Sequence, residues 1–161
     1  MISPTDDYVK KDLKRGVDYI GVTVVFFCHD GEGNVLLQKR SMNCRDEQGR
    51  WDCGGGSMEF GEESFESGVR REVLEELGVE PLAVKHMATT NVIRDNNGMP
   101  THWVAVVHAV KIPREGLRIG EPDKIDEIGW FPADALPENL HSCWDRHFEL
   151  VKGEILTQMS S

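Results

Sequence analysis

Apolar residues along this chain follow two rhythms, and each change of rhythm marks an element. Tyr19 to Cys28 (YIGVTVVFFC) is a nearly unbroken run rich in β-branched and aromatic side chains, which predicts a buried strand. Asp30-Gly31-Glu32-Gly33 turns the chain, and Asn34 to Arg40 (NVLLQKR) returns as a hairpin partner. Asn43 to Arg50 is polar and reads as a loop leading to Trp51 and a glycine-rich segment. The spacing then changes to every fourth residue. Phe65, Val69, Val73 and Leu77 form one apolar stripe and predict a core-facing helix, with Ser64 as its N-cap. Beyond it, Ala83 to Arg94 and His102 to Lys111 read as strands on either side of an Asp95-Asn96-Asn97-Gly98 turn. Ile125 to Phe131 is a short strand and Asn139 to Leu156 a closing helix. Strands and helices in this order predict a mixed sheet flanked by helices, an α/β sandwich.

Composition narrows the class. With 161 residues, 39% of them hydrophobic, the chain reads as one domain over 1–161 with enough material for a core. No stretch reaches the apolar length of a membrane span. The polar start, MISPTDDYVKKDLKR, does not read as a signal sequence, so a cytoplasmic location is expected. Cys28, Cys44, Cys53 and Cys143 contain no CxxC pair, which suggests neither a zinc site nor a disulfide framework. A net charge of −10 argues against binding a nucleic-acid polymer, which needs cationic side chains on phosphates. A polyphosphate would meet repulsion here unless divalent cations accompanied it.

The strongest chemical signal is the segment Arg71 to Val79, REVLEELGV. At about 100° per residue, Glu75 and Glu76 fall within roughly 60° to either side of Glu72, so the three carboxylates converge on one helix face. Like charges at that spacing cost a helix a few tenths of a kcal/mol each. Oxygen-rich clusters suit hard cations such as Mg²⁺ or Mn²⁺. A solvated acidic face is the ordinary fate of such a cluster. Here Glu76 lies only about 40° from the middle of the apolar stripe, at the core's edge, where a surface carboxylate has no reason to be. Immediately upstream, Trp51 to Glu62 reads WDCGGGSMEFGE, a glycine-rich loop through which backbone can approach a ligand closely.

Together, GGGSMEFGEESFESGVRREVLEELGV resembles the signature of the Nudix hydrolases: Gly, five residues, Glu, seven residues, then Arg-Glu-apolar-any-Glu-Glu-any-Gly-apolar. Gly56 and Glu62 match the first part; Arg71, Glu72, Val73, Glu75, Glu76, Gly78 and Val79 match the second. Eight residues separate Glu62 from Arg71 instead of seven. Taking Glu63 restores the spacing but places Ser57 where the glycine belongs, so the loop glutamate is Glu62 or Glu63. Gly54 stands where a proline is common.

The resemblance implies a Nudix-type α/β/α sandwich with a mixed sheet, and a metal-dependent hydrolase using Mg²⁺ or Mn²⁺. It implies Glu72 and Glu76 as principal metal ligands, Glu75 as a further one, and Gly55 as a carbonyl donor. Arg71 would hold a glutamate in place, and Glu62 (or Glu63) could help activate water. A later acid, Glu121, Asp126 or Glu127, is expected to join. The implied partner is a small-molecule nucleotide. The stretch Leu82 to Met99 lacks the proline or tyrosine associated with ADP-ribose or dinucleotide relatives, while THWVAVV and EPDKIDEIGWFPADALP look MutT-like. A nucleoside triphosphate cleaved to monophosphate and pyrophosphate is therefore the favoured reading. ADP-ribose, nucleotide-sugar or dinucleotide cleavage is the alternative, and a non-catalytic nucleotide-sensing or partner-binding module the reading from another class. Arg40 could meet terminal phosphates, and Trp103 or Trp144 could stack on a base. His102 and His108 share a strand face and are expected to be structural. A homodimer is compatible with this reading.

Overall fold

The computed structural model describes residues 12–157, so residues 1–11 of the polar N-terminal stretch lie outside the described part. In chain order the elements are β1 (Gly21–His29), β2 (Asn34–Arg40), β3 (Trp51–Asp52), β4 (Gly54–Ser57), α1 (Phe65–Leu77), β5 (Ala83–Asn96), β6 (Met99–Lys111), β7 (Ile125–Pro132) and α2 (Trp144–Thr157). The strands form one mixed sheet with the path β3-β2-β1-β6-β5; β4 pairs with β1 and β7 with β2. β1 runs parallel to β6 and antiparallel to β2 and β4.

Successive residues of a pleated strand face opposite ways, and in β1 this divides the core in two. Val24, Phe26 and Cys28 pack with Leu36 of β2 against Val69, Val73 and Leu77 of α1. Phe27, with Val35 and Leu37, packs against Trp144, Phe148, Val151 and Ile155 of α2. The helices therefore cover opposite faces of the sheet, and the α/β/α sandwich expected from the sequence is the fold observed.

Three local expectations change. Phe65 belongs to α1 but is 47% exposed, because the first turn after the Ser64 cap buries nothing before Gly68. The closing helix starts at Trp144 rather than Asn139. Trp51 takes the preceding backbone into a sheet-like bridge, its N–H donating to the Asn139 carbonyl and its carbonyl accepting from the His141 N–H. The glycine triplet is not a free loop either. It forms β4, hydrogen-bonded along β1, and none of its residues has a positive φ. Positive φ appears instead at Asn97 and Gly98, the two-residue turn joining β5 to β6, as tight hairpins require.

Candidate active site

The helix and the glycine strand meet at the cleft because glycine lets them come close. A Cβ on Gly56 would lie 2.1 Å from the Glu72 carboxyl carbon, and one on Gly54 2.0 Å from the Phe26 ring. At the other end of α1, a Cβ on Gly120 would fall 1.8 Å from the Glu75 carbonyl, and the Gly120 N–H donates to the Glu76 carbonyl at 2.9 Å. That contact brings the next residue, Glu121, beside the helix carboxylates. Gly56→Ala should displace Glu72 and lower kcat/KM about a hundredfold, as small misplacements at reacting centres do, with far-ultraviolet circular dichroism unchanged. Full activity in that variant would detach Glu72 from the chemistry.

Arg71 is the hub of the cluster. Its guanidinium donates to both oxygens of Glu62 (2.5 and 3.3 Å), to Glu72 (2.7 Å), to Glu75 (3.3 Å) and to the Ser57 carbonyl (3.2 Å). The two-pronged contact falls on Glu62, whereas Glu63 is exposed. The extra residue is thus taken up between the loop glutamate and the helix. Hydrogen bonds from Arg71 hold the Glu62 carboxyl below its usual range.

Glu76 behaves differently. It is 6% exposed and accepts a hydrogen bond from the Gln38 amide at 3.0 Å. Burial pushes its carboxyl up to about 8; Gln38 and the Gly55 backbone pull the other way, and the Glu72 and Glu121 charges add to the rise. Glu72, 8% exposed, is also raised, first by burial, against the pull of Arg71. An anion is expensive to bury without a cation beside it. Among the described residues no three His, Cys, Asp or Glu side chains are poised as a chelate, since Arg71 and Gln38 hold Glu72 and Glu76. The donor set nonetheless fits a hard divalent cation. It is made of oxygen, it is buried, and a notch without a side chain at Gly56 faces one of its carboxylates.

A cleft of about 900 Å³ is lined by Gly55, Arg71, Glu72, Glu75 and Glu76 together with Arg40 and Trp103. Glu62 stands behind Arg71 rather than among the lining residues. Of the three later acids, Glu121 lines the cleft, while Asp126 and Glu127 are exposed and Glu127 pairs with Lys39. Arg40 is engaged with its own loop, donating to the carbonyl and the carboxylate of Asp46. Trp103 lies flat against the chain at Gly16 and Gly21, where a Cβ would come within 2.3–2.5 Å of the indole. Trp144, 2% exposed, packs edge-on against Phe27 at 5.1 Å and is a core residue. His108 is buried on the Val106 carbonyl, and His102 bonds Asn91.

Gln38 and Arg94 also face this cleft and escaped the sequence reading. Gln38 did leave a signal, being a polar residue on the face of β2 that carries buried Leu36. Arg94 left none, because its meeting with the β2–β3 loop joins segments far apart in the chain.

Comparison with known proteins agrees with this geometry. The NUDIX domain family matches residues 19–152. A crystal structure of a MutT NUDIX hydrolase from Burkholderia pseudomallei superposes with a TM-score of 0.71 at 31% identity, covering 83% of this chain and 98% of that one. The NUDIX domain of Shewanella oneidensis NrtR, solved with ADP-ribose, shares the fold at 23% identity and a TM-score of 0.64, covering 96% and 95% of the two chains. An isopentenyl-diphosphate Delta-isomerase from Rhodobacter capsulatus is 28% identical over 141 residues, 86% of this chain and 78% of that protein. Since the family match spans most of the chain and coincides with the glycine strand and carboxylate helix described above, the protein belongs to the Nudix family and is a MutT-like Nudix hydrolase.

Proposed function

We propose that this protein hydrolyses a phosphoanhydride bond in a cytoplasmic nucleoside diphosphate-linked compound, with a nucleoside triphosphate cleaved to monophosphate and pyrophosphate as the favoured substrate. The observation that carries this reading is the pair of buried carboxylates, Glu72 and Glu76, opening onto a cleft large enough for a nucleotide. Diphosphate is also the group common to the names of two relatives, the isopentenyl-diphosphate isomerase and the domain solved with ADP-ribose.

Glu72, Glu76, Glu75 and the Gly55 carbonyl would hold Mg²⁺ or Mn²⁺. When bound, the ion neutralises charge on the diphosphate oxygens and lowers the pKa of a coordinated water. The chain's own residues do the rest. Arg71 keeps Glu72 and Glu75 aimed, and Glu62 contributes by fixing Arg71 from behind. Glu121, which lines the cleft, would accept a proton from an attacking water. Trp103 would stack on the nucleobase, and Arg40 would bring a charge toward the phosphates. The enzyme would act without a nucleic-acid polymer or membrane as partner, and a homodimer is compatible with the site.

A panel of ribo- and deoxyribonucleoside triphosphates, ADP-ribose, a nucleotide sugar and a dinucleotide, assayed with Mg²⁺ and read by mass, tests this directly. Monophosphate plus pyrophosphate from at least one triphosphate is expected. A clearly higher kcat/KM for ADP-ribose or a dinucleotide than for every triphosphate would overturn the substrate while leaving Nudix chemistry in place.

A further inference from the structure

Two arginines from opposite parts of the sheet converge on a single carboxylate at the rim of the cleft. Arg40 ends β2 and Arg94 lies near the end of β5, strands separated by β1 and β6 in the sheet path. Adjacent strands lie about 4.8 Å apart, so only long side chains reaching toward one another can bridge that gap. They meet at Asp46. Arg40 approaches one carboxylate oxygen at 2.8 Å and Arg94 the other at 3.5 Å. Arg94 also touches Glu47 at 3.3 Å, and Glu47 sits at φ 53, a left-handed conformation that non-glycine residues rarely adopt.

We propose that Arg40 and Arg94 form a phosphoryl-binding subsite whose place is held by the Asp46 carboxylate in the free protein. The inference rests on the function proposed above. A guanidinium fork recognises carboxylate and phosphate with the same geometry. Three guanidiniums, Arg40, Arg94 and Arg50, share the two carboxylates of Asp46 and Glu47, which leaves one positive charge for a phosphoryl dianion to meet. The arginines stand on β-strands, while the anion stands on the loop between β2 and β3. Exchange therefore moves the loop and leaves the receptor in place. The subsite also gives an acidic protein a cationic anchor for a polyphosphate in the same cleft as the glutamates. Arg94 makes only the longer contacts with the loop, so it is the freer of the two to turn toward a ligand.

Calorimetric titration of inorganic pyrophosphate in EDTA isolates the arginines from any metal site and requires no turnover. Asp46→Asn keeps an oxygen for Arg40 but removes the competing charge, and should tighten pyrophosphate about tenfold. Arg94→Ala should weaken it at least as much, with Arg94→Lys in between. Arg114→Ala, an exposed arginine paired with Asp30 outside the cleft, should bind as wild type does. Displacement of pyrophosphate by a non-hydrolysable nucleoside triphosphate would support occupation by the substrate. Failure of the nucleotide to displace it would assign the subsite to a free anion and overturn the proposal. Unchanged or weaker binding by Asp46→Asn, or unchanged binding by Arg94→Ala in a folded protein, would overturn it as well. A substrate panel without triphosphate turnover leaves these binding results readable, so the two proposals fail separately.

Discussion

Glu76→Gln is expected to abolish turnover and, in metal-free protein at pH 8, to raise the melting temperature. Glutamine preserves shape and the hydrogen bond from Gln38, but removes the anion that a hard cation needs. The stability change follows from burial. The folded-state pKa of Glu76 is about 8, against 4.5 for the free side chain. Between those values the folded protein holds a proton that the unfolded chain has released. This contribution to stability is complete below pH 4.5 and is lost as pH rises through 8. At pH 8 the wild type buries a charge opposed by Glu72 and Glu121, and the variant does not. Relief of an unpaired buried charge contributes about 1–3 kcal/mol, or roughly 3–10 °C for a domain of this size. The gap between the two melting temperatures should close on acidification to pH 5. Turnover within threefold of wild type at saturating Mg²⁺ would dismiss the cluster as a metal site. A variant melting below wild type at pH 8 in EDTA would dismiss the buried charge.

Divalent metal should reverse that ranking. A cation that binds only the folded state adds stability by mass action, about 2.7 kcal/mol at a hundred times its Kd. Millimolar Mg²⁺ or Mn²⁺ should therefore raise the wild-type melting temperature by about 5 °C or more. Glu72→Gln/Glu76→Gln, which lacks both buried carboxylates, should shift by less than about 1 °C. Differential scanning fluorimetry with Ca²⁺ and Na⁺ controls separates site binding from ionic strength. Equal shifts in the two proteins would mean that Glu72 and Glu76 form an acidic face and not a metal site.

What was legible in the chain is what arises within one element. Ser64 caps α1 because a side chain three residues away closes the box, Ser67 bonding back to the Ser64 backbone. Glu72, Glu75 and Glu76 converge because residues three and four apart share a helix face. Val69, Val73 and Leu77 fall in the core for the same reason. Phe65 obeys the spacing too, yet it is exposed, since periodicity says which face a residue is on and not how far the covering layer extends.

The amino-acid sequence by itself determined the order of the longer strands and the two helices, the glycine approach and the carboxylate helix, because hydrophobic period, capping and side-chain spacing act over a few residues. Tertiary structure decided the rest. Glu62 over Glu63 depended on where the Arg71 fork reaches across an inserted residue. The start of α2 depended on Trp51 capturing backbone nearly ninety residues later. The selection of Glu121 over Asp126 and Glu127 depended on Gly120 packing against the end of α1. Arg40, Asp46 and Arg94 meet because β2 and β5 are placed in one twisted sheet, and no local pattern encodes that meeting. Contacts between distant segments follow from how the whole core closes, so the chain specifies them only through its fold.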